Sequence, residues 1–186
     1  HFSDKGIITS ATIRLHQIKF FEKTGVPPVD RGMLMFYNMG DIENWETENS
    51  IIDLEIGRQY FQNFDKYPLS LDVAFPIYQW GILFRDGEMI RIMNNLSELD
   101  LMDESRFKKI EKNRFQVIKS TYLNGQYLYR GDLFRLEGID ENELKMSAKE
   151  LIPLIENPSI TVSFYHLDSL NLTKFSAKKL KGILPK

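Results

Sequence analysis

The run YPLSLDVAFPIYQWGILF, residues 67–84, is strongly apolar along most of its length. A strand of this kind has to be covered on both faces, and a parallel sheet flanked by helices provides that cover. RGMLMFYNMGD, residues 31–41, has the same character from Met33 to Met39, then breaks abruptly into Gly40 and Asp41. A third run, GIITSATIRLHQIKF, alternates Ile13 and Leu15 against Thr12, Arg14 and His16, the period of a half-buried strand. SITVSFYHLDS, near the C-terminus, reads as the last strand.

Helical patterns separate these strands. Ile52, Ile56, Tyr60 and Phe64 recur every fourth residue, which predicts a helix over residues 50–64 with Asn49 or Ser50 as its cap. Ser147 and Glu150 fit a capping box opening a helix towards Ile155, shortened or bent at Pro153. Ser176 caps a short final helix. EKTGVPPVDRG holds two prolines and two glycines and reads as a rigid loop. Arg85-Asp86-Gly87 predicts a hairpin turn leading into EMIRIM, and Asn124-Gly125 a second one between two strand-like pieces. Residues 96–114 are charged and read as irregular or partly helical. The order is strand, strand, helix, strand, inserted hairpins, helix, strand, helix. It predicts one α/β domain over residues 1–186, with a parallel, (β/α) barrel-like sheet.

The composition narrows the function classes. The chain has 186 residues, enough for one sizeable core. Its net charge of -2 is small and mixed, which argues against a nucleic-acid partner. The lysines between Lys174 and Lys181 read as a solvated helix face. With no cysteine there are no disulfides, no thiolate catalysis and no cysteine zinc site. No run approaches the roughly 18 apolar residues needed to cross a bilayer. The chain starts at His1, and no signal peptide can be read from it. There is no glycine-rich phosphate loop and no nucleophile elbow, so no cofactor is expected.

In parallel α/β folds, ligands bind beyond the carboxyl ends of the strands. Here the first strand would end at His16 and Gln17, and the second at Tyr37 and Asn38, with Asp41 just beyond. The third would end at Tyr78, Gln79 and Trp80, the last at His166 and Asp168. All four endings are polar or aromatic, which is a coherent signal for a site. Further back, Arg14 and Asp72 fall on polar faces of their strands and are expected to pair as a structural ion pair.

SATIRLHQ, TGVPPVDRGMLMFYNMGD, YPLSLDVAFPIYQWGILFRDG and FYHLDSLNL together resemble an uncharacterised bacterial group of TIM-barrel proteins. That group is related to glycoside hydrolases and to the domain of unknown function 3142. The resemblance covers most of the chain, and YPLSLDVAFPIYQWG is its most specific phrase. It implies a protein of the bacterial periplasm or cell envelope. A full eight-stranded barrel takes about 250 residues, so the chain looks like the C-terminal part of a larger barrel. Its open sheet edges would then pair with a missing N-terminal half or with a second copy.

The chemistry implied is glycoside hydrolysis, which needs two carboxylates about 5 to 10 Å apart across the scissile bond. Asp41 and Asp168 are the catalytic candidates, with Glu43 in reserve. Tyr37, Tyr78 and Trp80 are candidates to stack on sugar rings. His16, Gln17, Asn38 and His166 are candidates to hydrogen-bond hydroxyls. The plainer alternatives are that each acid caps a loop or forms a surface ion pair, and that Trp80 is a core aromatic. His16 and His166 lack metal-ligand spacing and read as hydrogen-bonded histidines, so no metal is expected. The competing function is a non-catalytic module that binds glycan or a protein partner.

Overall fold

The computed structural model describes residues 5–184; His1 lies outside them. The chain gathers into two compact units. The first runs to Met39 and includes Ile52–Ile77 and the chain from Ile139; the second comprises Gly40–Ile51 and Tyr78–Gly138.

The first unit is built on β1 (Ser10–Arg14), β2 (Arg31–Met35), β3 (Ser70–Pro76) and β11 (Val162–Tyr165). They lie side by side in the order β1-β2-β3-β11, and every pair is parallel. This is the sheet that the alternation of apolar strands with helices predicts. Ile13 stands opposite Leu34, and Leu34 opposite Val73; none of the three has exposed surface. Gly32 lies between Ile13 and Leu71, and a Cβ there would come within 2.8 Å of each side chain. The missing side chain is what lets its neighbours close over the middle of β2.

The helices of this unit are short. They are α1 (Leu15–Lys19), α2 (Phe21–Thr24), α3 (Leu54–Arg58), α4 (Glu141–Leu151), α5 (Ser169–Lys174) and α6 (Ala177–Lys181). Only α4 presents a sustained apolar stripe, with Leu144, Ala148 and Leu151 fully buried. Asp140 caps it and Glu143 closes the capping box, earlier than the Ser147–Glu150 box that the sequence predicts. Ser147 instead sits inside the helix, its hydroxyl donating to the Glu143 carbonyl at 2.7 Å. Asp140→Ala is expected to lower stability by about 1 kcal/mol, measurable as a shift in the urea midpoint at unchanged slope. Ser176 caps α6 as predicted, accepting from the Lys179 amide.

Two other predicted elements differ. The helix over residues 50–64 contracts to α3, because Asp53 is extended and caps from inside the predicted span. Asn63 then takes a left-handed conformation with φ 68°. Ile52 and Phe64 are still buried in the same core, so the apolar stripe marks burial without a continuous helix. The long third strand divides: β3 ends at Pro76, and β4 (Trp80–Arg85) starts in a different sheet.

The second unit carries that sheet, in the order β5-β4-β10-β7-β6 and antiparallel throughout. Its other strands are β5 (Glu88–Asn94), β6 (Phe107–Glu111), β7 (Arg114–Val117) and β10 (Leu133–Glu137). β8 (Thr121–Leu123) and β9 (Gln126–Leu128) form a separate hairpin. Both predicted turns are present. Asp86 and Gly87 have φ of 52° and 86°, and Asn124 and Gly125 of 47° and 76°. Those positive values are what a two-residue hairpin requires.

A charged group lies at the heart of this unit. The Arg135 and Glu137 side chains have no exposed surface and pair through Nε and Oε1 at 2.6 Å. Glu137 Oε2 accepts from Trp80 Nε1 at 2.8 Å and from the Ser50 hydroxyl at 2.5 Å. Arg135 also donates to the carbonyls of Asn44 and Ile42. Segment Gly40–Ile51, which carries Asp41, is thereby fastened to β10 and β4.

Candidate functional site

In the first unit a cavity of about 270 Å³ opens at the carboxyl ends of β1 and β2. Arg14 and His16 reach it from the end of β1, and Met35, Tyr37, Asn38 and Met39 from the end of β2, with Tyr60 opposite in sequence order after α3. Each is there for a local reason. β1 stops at Arg14 because the chain turns into α1, where Leu15 and Ile18 are both buried. His16 therefore stands on a helical turn and is not a strand residue as predicted. Asn38 ends the second run in a left-handed conformation with φ 56°, which asparagine tolerates better than most residues. That redirects the chain before Gly40.

Tyr37 is half-buried and its ring stacks on Tyr165 at 5.4 Å, 10° from parallel. Burial and then the neighbouring Tyr165 push its phenol above the usual value, so it remains protonated at neutral pH. Tyr165 in turn meets the His166 ring at 5.2 Å. The ends of β2 and β11 are thus linked by aromatic contacts.

The remaining candidates have mixed positions. Gln17 lies on α1 and accepts the Arg14 amide at 2.9 Å, which is a helix-start role. His166 Nε2 is 3.0 Å from Asp168 Oδ2. Asp168 also caps α5, accepting the Asn171 amide at 2.7 Å and its side-chain Nδ2 at 3.0 Å. Asp41, Tyr78 and Trp80 belong to the second unit. There Asp41 accepts the Glu43 amide at 3.0 Å. Tyr78 is buried with its ring centroid 5.1 Å from that of Trp80, and Trp80 is bonded to Glu137.

The predicted Arg14–Asp72 pair does not form. Asp72 is bound by Arg31, through Nε at 2.9 Å and Nη2 at 2.6 Å. Strand order explains it: β2 lies between β1 and β3, so Arg31 stands on the strand next to Asp72 and Arg14 one strand further away. Arg14, Tyr60 and Tyr165 are the residues that the sequence did not single out for the site. For Arg14 the signal was present in its place at the end of β1, two residues before His16. Tyr60 needed coordinates, since the predicted helix around it contracts to α3, and Tyr165, on the predicted last strand, needed them for its stacking on Tyr37.

Among the described residues, no group of three or more histidines and carboxylates is placed to hold a metal. No described helix is long and apolar enough to cross a membrane.

The architecture is similar to solved structures. The chitinase from Chromobacterium violaceum ATCC 12472 superposes with a TM-score of 0.54 at 11% identity, over 100% of this chain and 58% of that one. The Ostrinia furnacalis Group IV chitinase gives 0.51 at 9% identity, over 100% and 59%. The fold shared with these structures is a partial, barrel-like α/β fold with a parallel sheet. At such identity the likeness concerns the fold alone. The chain spans less than two thirds of either structure. No family model matches the sequence, and no curated protein matches it.

Proposed function

We propose that this chain is carbohydrate-active, a glycoside hydrolase-like protein whose cavity at the ends of β1 and β2 binds glycan. The observation that supports it is the lining of that cavity: an aromatic ring, an amide and an imidazole gathered at the carboxyl edge of a parallel sheet. A pyranose has apolar faces and a rim of hydroxyls. Tyr37 suits a face, while Asn38 and His16 suit the rim. The cavity lies at the small end of ligand sites, which fits one sugar unit. In the hydrolytic form of this reading, one carboxylate protonates the leaving oxygen and another assists attack, and Asp168 is the candidate that the first unit supplies.

The second reading is a non-catalytic glycan- or protein-binding envelope module. It is favoured by how the acids are used: Asp168 serves Asn171 and His166, Asp41 serves the Glu43 amide, and among the described residues no carboxylate lines the cavity.

Calorimetric titration of the full chain with soluble oligosaccharides tests the proposal. Binding is expected, weakened about tenfold in Tyr37→Ala, in keeping with the loss of one aromatic contact and its buried area. If no oligosaccharide binds, the glycan reading is wrong. Turnover that is lost in Asp168→Asn while binding persists supports the enzyme. Binding without turnover of any bound glycan supports the module.

A further inference from the structure

We propose that the cavity selects a sugar bearing a carboxylate, and that Arg14 is the residue that selects it. The inference rests on the glycan reading above and adds the ligand's charge. Its starting point is the pairing of Asp72 with Arg31, which leaves Arg14 without that expected partner. Arg14 joins no ion pair among the described residues, and its exposed side chain lines the cavity. Among the described residues, no carboxylate lines that cavity. A second cation stands close by: Lys19 Nζ lies 5.1 Å from the ring centroid of Tyr60, a lining residue, and donates to the Gln59 carbonyl at 2.7 Å.

The polar side chains lining the cavity are therefore a guanidinium, an imidazole, two phenols and an amide. All can donate hydrogen bonds, and only the cation carries a fixed charge. An anion complements that set. Among anions, a carboxylate suits a guanidinium best, because its two coplanar oxygens accept the two parallel N–H bonds of the fork. The Arg31–Asp72 pair shows that geometry in this same unit, at 2.9 and 2.6 Å. Two sources carry such a group on a pyranose: a uronic acid, with the carboxylate on the ring, and a lactyl ether, with it on a short arm. Arg14 is exposed when the cavity is empty, so a neutral sugar strands no buried charge. Its preference for acid is consequently finite.

The test titrates the full chain with two matched pairs. One is trigalacturonate and its methyl ester; the other is N-acetylmuramic acid and N-acetylglucosamine. The acidic member of one pair is expected to bind about tenfold tighter, the size of a single charge-assisted hydrogen-bond pair at an exposed site. The pair that shows the preference identifies the source. Arg14→Gln is expected to abolish the preference, bringing the two members of that pair to equal affinity. Arg14→Lys, which retains the charge without the fork, is expected to fall between. Raising the salt concentration should narrow the gap in the wild type. Equal affinity for both members of each pair would overturn the inference and leave the glycan reading intact. So would a preference that survives in Arg14→Gln. Absence of binding by all four probes would remove both the inference and the reading beneath it.

Discussion

Glu137→Leu is expected to lower the stability of the second unit by about 3–5 kcal/mol, the cost of stripping a partner from a buried charge. Arg135 would keep its two backbone carbonyls, but its guanidinium would face a methyl group where a carboxylate had been. The Trp80 indole N–H and the Ser50 hydroxyl would lose their acceptor at the same time. The readout is direct. Both tryptophans of the chain, Trp45 and Trp80, lie in this unit, so indole fluorescence in a urea series follows its unfolding. Arg135→Met combined with Glu137→Leu should recover part of the loss, because the double variant leaves no isolated charge. A double variant as stable as the wild type would mean that the ion pair only offsets its own desolvation, and a single-variant loss below about 1 kcal/mol would mean that Arg135 is not stranded by the change.

The network also shows why a sequence reading reaches the strands sooner than the site. Ile13, Leu34, Val73 and the turn residues Asp86, Gly87, Asn124 and Gly125 were legible because their roles are set locally, by periodicity or by the sign of φ. The parallel sheet followed from that. β6 was not legible: FKKIE carries charge at three of five positions and only Phe107 is buried. A solvated edge strand looks like a charged loop, since lysines are what keep an edge from pairing further. The division of the run at residues 67–84 was equally hidden. Its apolar character continues through Ile77 and Tyr78, and nothing local announces that β3 and β4 bury their faces in different sheets.

The candidate site was half legible for the same reason. His16, Tyr37 and Asn38 were found from their place at strand ends, and the structure collects them around one cavity. Gln17, chosen by the same rule, turned out to be spent on the start of α1. Choosing between Arg14 and Arg31 as the partner of Asp72 depended on strand order, since β2 and not β1 is the neighbour of β3. Facing within one strand carries no information about which strands lie side by side.

That corrected pair makes the other large prediction. Asp72 accepts both Arg31 bonds and the Thr161 amide at 2.7 Å, and Arg31 reaches the Ser159 carbonyl at 3.0 Å. One carboxylate therefore joins β2, β3 and the entry to β11. Asp72→Asn is expected to cost about 1.5–3 kcal/mol at neutral pH, the range for hydrogen bonds made to a charged group. The loss should depend on pH in one direction. The Arg31 hydrogen bonds, helped by the Thr161 amide and opposed by burial, hold the Asp72 carboxyl below the usual carboxylate range. A depressed folded-state pKa stabilises the fold fully above the unfolded value, about 3.9. That contribution fades as the pH falls through the lower, folded-state value. Urea curves of wild type and Asp72→Asn should accordingly stand apart at pH 7 and draw together in strong acid, as the wild-type carboxyl takes up its proton. Curves that kept a constant separation down to pH 2 would place the effect of the substitution in shape and not in charge.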